Sequence, residues 1–395
     1  MSGEAKRSKA RTYGIIGAIA GTAAAGIAAA VAAERYVIRK ARTDPNDPYG
    51  DEPFGELPAD RIRTVLTEEG VDIHVETVGT QAMPGEAKGE IPAATVIFVH
   101  GYCLDEGTFH FQRRALAASD LPVRAVYYDQ PGHGQSGALP TPEYDMDDLA
   151  HTLYAVIAQA VPSGPLVLVG HSMGGMTIMA FARLYPELFA ERVAGVALLS
   201  TSAGGLDQVS FGAPRALARA RKVFLPAVGR IASLSPSAVD RLRKMSADIA
   251  WLLTRRYGFA APKPSAALVS YVEKMNTGTT MRTVIGFSRS LLEHNEYDSL
   301  APLRRVPVLV SCGEQDQFTP AEHSRTLAAA LGDARLAVIP DAGHVALLEK
   351  PDAVTAPLMA LLETVVERLK SAPRATSPEP KRRKRWLRKK KEDGI

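Results

Sequence analysis

Gly170-His171-Ser172-Met173-Gly174 is where this chain could do covalent chemistry. A serine hydroxyl is a weak nucleophile unless it is held away from its own backbone and beside a base. Here the apolar run Val167-Leu168-Val169 breaks into G-x-S-x-G, and a helix-compatible stretch from Met176 to Phe189 follows. A tight strand-to-helix turn projects such a side chain outward, and glycines two before and two after it remove Cβ clashes. The following helix aims its first amides and positive dipole end at the place where an oxyanion would form. Small residues are common in a chain with 32 glycines. The strand-turn-helix setting is what a chance G-x-S-x-G lacks.

A nucleophile needs a base and an orienting acid in a fitting order. Val306-Pro307-Val308-Leu309-Val310-Ser311-Cys312-Gly313 reads as a buried strand that ends in the polar turn Glu314-Gln315-Asp316, and Gln317-Phe318-Thr319-Pro320 leads into a helix. Arg335-Leu336-Ala337-Val338-Ile339 reads as a second strand, whose turn ends in Gly343-His344 before a helix near Ala346. Open parallel sheets present functional groups beyond the carboxyl ends of their strands. Taken singly, His344 reads as a loop histidine and Asp316 as a helix N-cap. Three such turns in the order Ser172, Asp316, His344 are the pattern of acyl-transfer chemistry.

With these motifs in place the chain resembles the α/β-hydrolase superfamily, in its esterase/lipase-like branch, from about Arg63 to Leu369. The resemblance implies an α/β fold: a mostly parallel twisted sheet, helices on both faces and a helical cap insertion. It places an oxyanion loop after Ala94-Thr95-Val96-Ile97-Phe98-Val99-His100-Gly101-Tyr102, so the backbone N–H groups of Tyr102 and Met173 are expected to receive the oxyanion, each worth about 3 kcal/mol. Tyr128-Asp129-Gln130-Pro131-Gly132-His133-Gly134-Gln135-Ser136 is similar to the family's D-x-x-G-x-G-x-S loop, which makes His133 a structural or entrance residue. By the same resemblance His100 anchors the oxyanion loop and His171 packs under the elbow. Serine at the elbow argues against the haloalkane-dehalogenase and epoxide-hydrolase branches, and His-Gly-Tyr is a poor match to the HGGG-type esterases.

The expected chemistry is hydrolysis of small or lipid-like esters. His344 takes the Ser172 proton, Asp316 holds the imidazole, and water releases the acyl-enzyme. Acyl transfer or thioester cleavage would use the same three residues, and a non-catalytic binding protein on this fold is the reading from another class. No cofactor or metal is expected: the nine histidines form no H-E-x-x-H, and two cysteines cannot hold a zinc cluster.

The remaining elements agree with one large domain. With 395 residues and 46% apolar content the chain can fill a sizeable core. It opens with a hairpin pattern, Arg63 to Leu66 and Val71 to Val75, then alternates strands and helices. We read 1–42 as a membrane segment with basic flanks, 43–62 as an acidic linker, 63–370 as the hydrolase domain and 371–395 as a disordered polybasic tail. Cys103 and Cys312 fall in strand-end turns. Two cysteines leave the compartment open, and Cys103, lacking an elbow, reads as a free thiol.

The alternation pauses at about 203–300, where the cap is expected. Residues 203–301 hold 14 Lys/Arg against 7 Asp/Glu. A solvated helix face accounts for such a charge run; a lid that meets an anionic lipid surface is the sharper reading. Residues 13–33 are 21 uncharged positions, long enough to span a bilayer as a helix. We favour a single-pass anchor over a cleaved signal peptide and secretion, because the run is long and rich in alanine and glycine. Four cations lie on each side of it, so orientation is undetermined. The tail holds nine cations in residues 381–391. Near an anionic leaflet each cation gains about 1 kcal/mol. Residues 43–370 carry 29 Lys/Arg against 38 Asp/Glu, so nucleic acid is an unlikely partner for this acidic body.

Overall fold

The computed structural model describes residues 42, 44–79, 92–209 and 247–371. Eight strands, β1 (Arg61–Leu66), β2 (Asp72–Val78), β3 (Ala94–Val99), β4 (Val123–Tyr128), β5 (Leu166–His171), β6 (Val193–Leu199), β7 (Val308–Gly313) and β8 (Arg335–Ile339), form one sheet in the order β1-β2-β4-β3-β5-β6-β7-β8. β1, β2 and β4 pair antiparallel, and every pair from β4 to β8 is parallel. The hairpin expected at the start is β1–β2. It closes at Gly70, whose φ of +78° suits glycine.

The central strands read as continuous apolar runs because both their faces are covered. Every residue of β3, β4, β5 and β7 is buried. In β5, Leu166 and Leu168 pack with helices α2 (Met146–Ala160) and α3 (Met173–Leu184) on one face. Val167 and Val169 pack on the other face with α1 (His110–Ala117) and a long C-terminal helix. Such burial stabilises by about 1.5–3 kcal/mol per large side chain. The short α4 (Pro186–Arg192) leads from α3 into β6.

The insertion after β6 contains, in its described part, α5 (Ala247–Gly258), α6 (Ala266–Gly278) and α7 (Met281–Glu293). It lies on the loops beyond the strand ends: Tyr102 Oη donates to the Val284 carbonyl at 2.5 Å, and Phe287 packs on Tyr144 and His133. The chain finishes with α8 (Ala321–Leu331), α9 (Ala346–Glu349) and α10 (Pro351–Ser371).

The acidic stretch 44–60, within the segment read as a linker, packs on the rest of the structure as a strap. Asp47 accepts from Ser265 Oγ at 2.6 Å and from the Ala267 N–H at 2.9 Å, at the start of α6. Phe54 stacks on Tyr271 of α6 with ring centroids 4.5 Å apart. Glu52 meets His110 and Arg114, and Arg113 donates to the carbonyls of Leu57 and Pro58. The strap's acidic side chains therefore bridge α1 of the body and α6 of the insertion. Among the described residues no helix is long and apolar enough to cross a membrane. The segment 13–33 and the basic tail 381–391 lie outside the described residues.

Candidate active site

Ser172 directly follows β5 and precedes α3, with φ +52° and ψ −118°. A β-carbon in this region is strained, and the neighbours hold it there. The Ser172 N–H donates to the Leu199 carbonyl at 2.9 Å, and Thr201 Oγ1 donates to the Ser172 carbonyl at 2.7 Å. Glycine is required at position 174, where a Cβ would stand 1.9 Å from the Val99 carbonyl oxygen. At Gly170 a Cβ would stand 2.5 Å from the Gly174 oxygen. Met173 opens α3, so its N–H has no acceptor within the helix and points out of the helix's positive end.

Beyond β7 and β8 the chain brings Asp316 and His344 to this serine. His344 Nε2 lies 3.0 Å from Ser172 Oγ, and His344 Nδ1 lies 2.9 and 3.1 Å from the two Asp316 oxygens. An ionised carboxylate only accepts, so the ring proton sits at Nδ1 and Nε2 turns a lone pair to the hydroxyl. The Asp316 side chain is fully buried. Burial alone would push its carboxyl up; the His344 charge and hydrogen bonds from His344 and Thr319 outweigh it and hold the carboxyl below its ordinary value. The donors are the N–H groups of Phe318 (2.8 Å) and Thr319 (2.9 Å) and the Thr319 hydroxyl (2.8 Å).

Three other histidines lie close by. His100 is buried, and desolvation holds it well below its usual value, with further lowering from His133. It is the Nδ1–H tautomer, donating to the Gly101 carbonyl at 2.8 Å and accepting the Gln130 N–H on Nε2 at 2.8 Å. That fixes the turn in which Gly101 lies against the elbow, a Cβ there falling 3.1 Å from the Ser172 Cβ. Tyr102, expected to offer its N–H to an oxyanion, is the next residue. His171 is pushed down to about 3 by burial and the neighbouring His344, and it pairs through Nε2 with the His344 carbonyl at 3.1 Å. His133, pushed down to about 4 by burial, pairs with the Pro131 carbonyl and packs on Tyr102 and Phe287. Asp129 fastens its loop by accepting from the Glu106 and Gln135 N–H groups.

Neither Cys103 nor Cys312 is in a disulfide. A cavity of about 510 Å³ opens beside the acid's loop, lined by Gly204, Gly205, Asp316, Gln317 and His323 among others. Sequence reasoning missed Thr319 and Gln130. Thr319 had a local signal: an Asp followed by two residues and a Thr-Pro at a helix start is a turn in which the carboxylate gathers the next amides. Gln130 had none.

A family model described as alpha/beta hydrolase fold matches residues 94–351. The chain is 29% identical over 273 residues to the dihydrolipoyllysine-residue acetyltransferase component of an acetoin cleaving system from Pseudomonas putida, covering 68% of this chain and 63% of that one. It is 27% identical over 258 residues to a monoacylglycerol lipase of Mycolicibacterium smegmatis, covering 64% and 81%. In three dimensions it is similar to a thermophilic esterase from Thermogutta terrifontis, with TM-score 0.58, 24% identity and coverage of 77% and 99%.

Proposed function

The chain belongs to the alpha/beta hydrolase fold family, and from that membership we propose that it is a serine hydrolase of carboxylic esters with small or lipid-like acyl groups. The observation that carries this reading is the unbroken line from Asp316 through His344 to Ser172 Oγ, at 2.9 and 3.0 Å. His344 Nε2 accepts the Ser172 proton as Oγ attacks the acyl carbonyl. Asp316 keeps the ring proton on Nδ1 and offsets the imidazolium charge. The carbonyl oxygen becomes an oxyanion and is received by the N–H groups of Met173 and Tyr102, each worth about 3 kcal/mol. His344 returns its proton to the leaving alkoxide. Water, deprotonated by the same nitrogen, then attacks the acyl carbon; the bond to Ser172 Oγ breaks, the acyl group leaves as the carboxylic acid, and Nε2 returns the proton to Oγ.

A monoacylglycerol lipase among the relatives supports an ester substrate. The acetyltransferase component among them favours a second reading, in which an acceptor other than water takes the acyl group. Product analysis with added alcohol and thiol acceptors separates the two. For location, we infer a membrane anchor at 13–33 assisted by the tail 381–391; co-sedimentation with anionic vesicles, with and without residues 381–395, tests the tail.

The deciding experiment is labelling by a fluorophosphonate probe, which reacts with activated serines. Wild type is expected to label and turn over short esters, and Ser172→Ala to do neither while keeping its fold. An active Ser172→Ala enzyme overturns the mechanism.

A further inference from the structure

The loops that carry Asp316 and His344 are both held by one stretch of the insertion, residues 256–261, at the end of α5 and just past it. Arg256 donates to Gln317 Oε1 at 2.8 Å, one residue after Asp316. The Tyr257 ring lies 6.1 Å from that of Phe318, which in turn lies 5.0 Å from the His344 ring. The Gly258 carbonyl accepts the Val345 N–H at 3.1 Å. The N–H groups of Ala260 and Ala261 donate to Glu349 Oε1 at 3.0 and 2.8 Å, and Glu349 Oε2 takes the Gly343 N–H at 2.7 Å. The approach is close enough that a Cβ on Gly343 would stand 2.6 Å from the Gly258 oxygen. Both chain neighbours of His344 are thus tied to this stretch, Val345 directly and Gly343 through the Glu349 carboxylate.

We propose that residues 256–261 form a positioning clasp, pinned by Glu349, through which the insertion holds the acid and the base in register with Ser172. The inference rests on the reading of those three residues as nucleophile, base and acid. Glu349 touches no reacting atom and acts through Gly343. A carboxylate shared by three backbone N–H groups from two segments is a strong joint, because its bonds are charge-assisted and its loss leaves all three donors without it. His344 needs its place to within a fraction of an ångström, since a displacement of about 1 Å costs about 100-fold in rate. The clasp also couples any movement of α5 to the base, which ties the state of the insertion to turnover.

The test compares wild type, Glu349→Ala and Glu349→Gln by fluorophosphonate labelling rate across pH, by kcat and KM on one short ester, and by thermal midpoint. The clasp predicts that Glu349→Ala labels and turns over about 100-fold more slowly with KM within twofold of wild type. Its labelling profile against pH should shift, because the His344 contact to Asp316 loosens. Glu349→Gln keeps one acceptor oxygen and should recover part of the rate. A Glu349→Ala protein that melts earlier but labels at the wild-type rate and pH dependence reduces Glu349 to a structural residue and overturns the clasp. Should the alanine variant fail to fold, Glu349→Gln decides alone, and a wild-type rate there is equally fatal. A wild type that does not label overturns the nucleophile reading and the clasp with it, whereas labelling with unaffected variants removes the clasp only.

Discussion

Replacing Asp316 by asparagine changes one atom and should stop turnover by reversing a tautomer. In the wild type Oδ1 accepts the N–H groups of Phe318 and Thr319, while Oδ2 takes the Thr319 hydroxyl and is the nearer oxygen to His344 Nδ1, at 2.9 Å against 3.1 Å for Oδ1. An amide has one oxygen to place. Placed at Oδ1 it keeps both backbone donors satisfied; placed at Oδ2 it sets its NH2 against two N–H groups. Each buried donor left unpaired costs about 1–3 kcal/mol, so the first orientation wins. The NH2 then donates to His344 Nδ1, and the ring proton must move to Nε2, 3.0 Å from Ser172 Oγ. A protonated Nε2 cannot take the serine proton. The expected loss is about 10⁴-fold in kcat, which at 1.36 kcal/mol per decade is about 5.4 kcal/mol of barrier. Turnover of a short p-nitrophenyl ester and the fluorophosphonate labelling rate read the loss, and circular dichroism shows that the fold survives. An Asp316→Asn enzyme within tenfold of wild type would refute the claim that Asp316 sets the tautomer of His344.

Four further outcomes follow from groups around the site and along the strap. Asp105, pushed up to about 7 by burial first and by Asp129 next, contributes stability below its unfolded value of 3.8 that is lost as pH rises to about 7. Asp105→Asn should therefore gain on wild type across that range, by about 2 kcal/mol once residual exposure is discounted; urea midpoints that stay parallel from pH 4 to 8 count against it. His133 runs the other way: it is neutral in the fold down to about 4 but titrates at 6.5 when unfolded, so wild type should lose stability against His133→Asn as pH falls between those values. In the strap, Asp47→Ala should cost about 1 kcal/mol, because it removes the acceptor for the Ser265 hydroxyl and for the Ala267 N–H in the first turn of α6. Lys263→Ala should change the thermal midpoint negligibly, since Lys263 meets Asp44 while 83% exposed.

What the sequence made legible was local. The elbow announces itself because glycines at 170 and 174 are imposed by atoms a few residues away in the turn, or by the adjacent strand. The residues that end β5, β7 and β8 fall on one edge of the sheet because parallel strands all present their carboxyl ends on the same side. That brings Ser172, Asp316 and His344, spread over 172 positions, into one hydrogen-bonded line. The insertion was recognisable as a break in the alternation, whereas its attachment was not. Glu349 and Ala260 are 89 positions apart, and nothing in either neighbourhood names the other. The contacts of the acidic stretch are equally non-local: Asp47 and Glu52 stand among prolines and aspartates, and their partners Ser265 and His110 are 218 and 58 positions away.

Strain is concentrated at the same sheet edge. The non-glycine residues with positive φ among the described residues are Cys103, Ser172, Ser200 and Asp341, at +58°, +52°, +45° and +51°, and each lies just past the end of a strand. The Ser200 N–H donates to the Ser311 carbonyl at 2.7 Å and the Ser172 N–H to that of Leu199, so neighbouring strands hold these residues in place. Each such residue costs about 1–3 kcal/mol. Relief at Ser172 should therefore be measurable by comparing two inactive variants. Ser172→Ala keeps the Cβ and its strain, while Ser172→Gly removes both at a cost of about 0.5–1 kcal/mol in chain entropy. Glycine should come out more stable by about 1 kcal/mol, about 2 °C in melting midpoint, although elsewhere in an element glycine is the worse residue. A less stable Ser172→Gly would show that the turn carries no strain for the serine. The expected order means that activity and stability are opposed at this position, because the conformation that exposes the hydroxyl to His344 is the one the backbone resists.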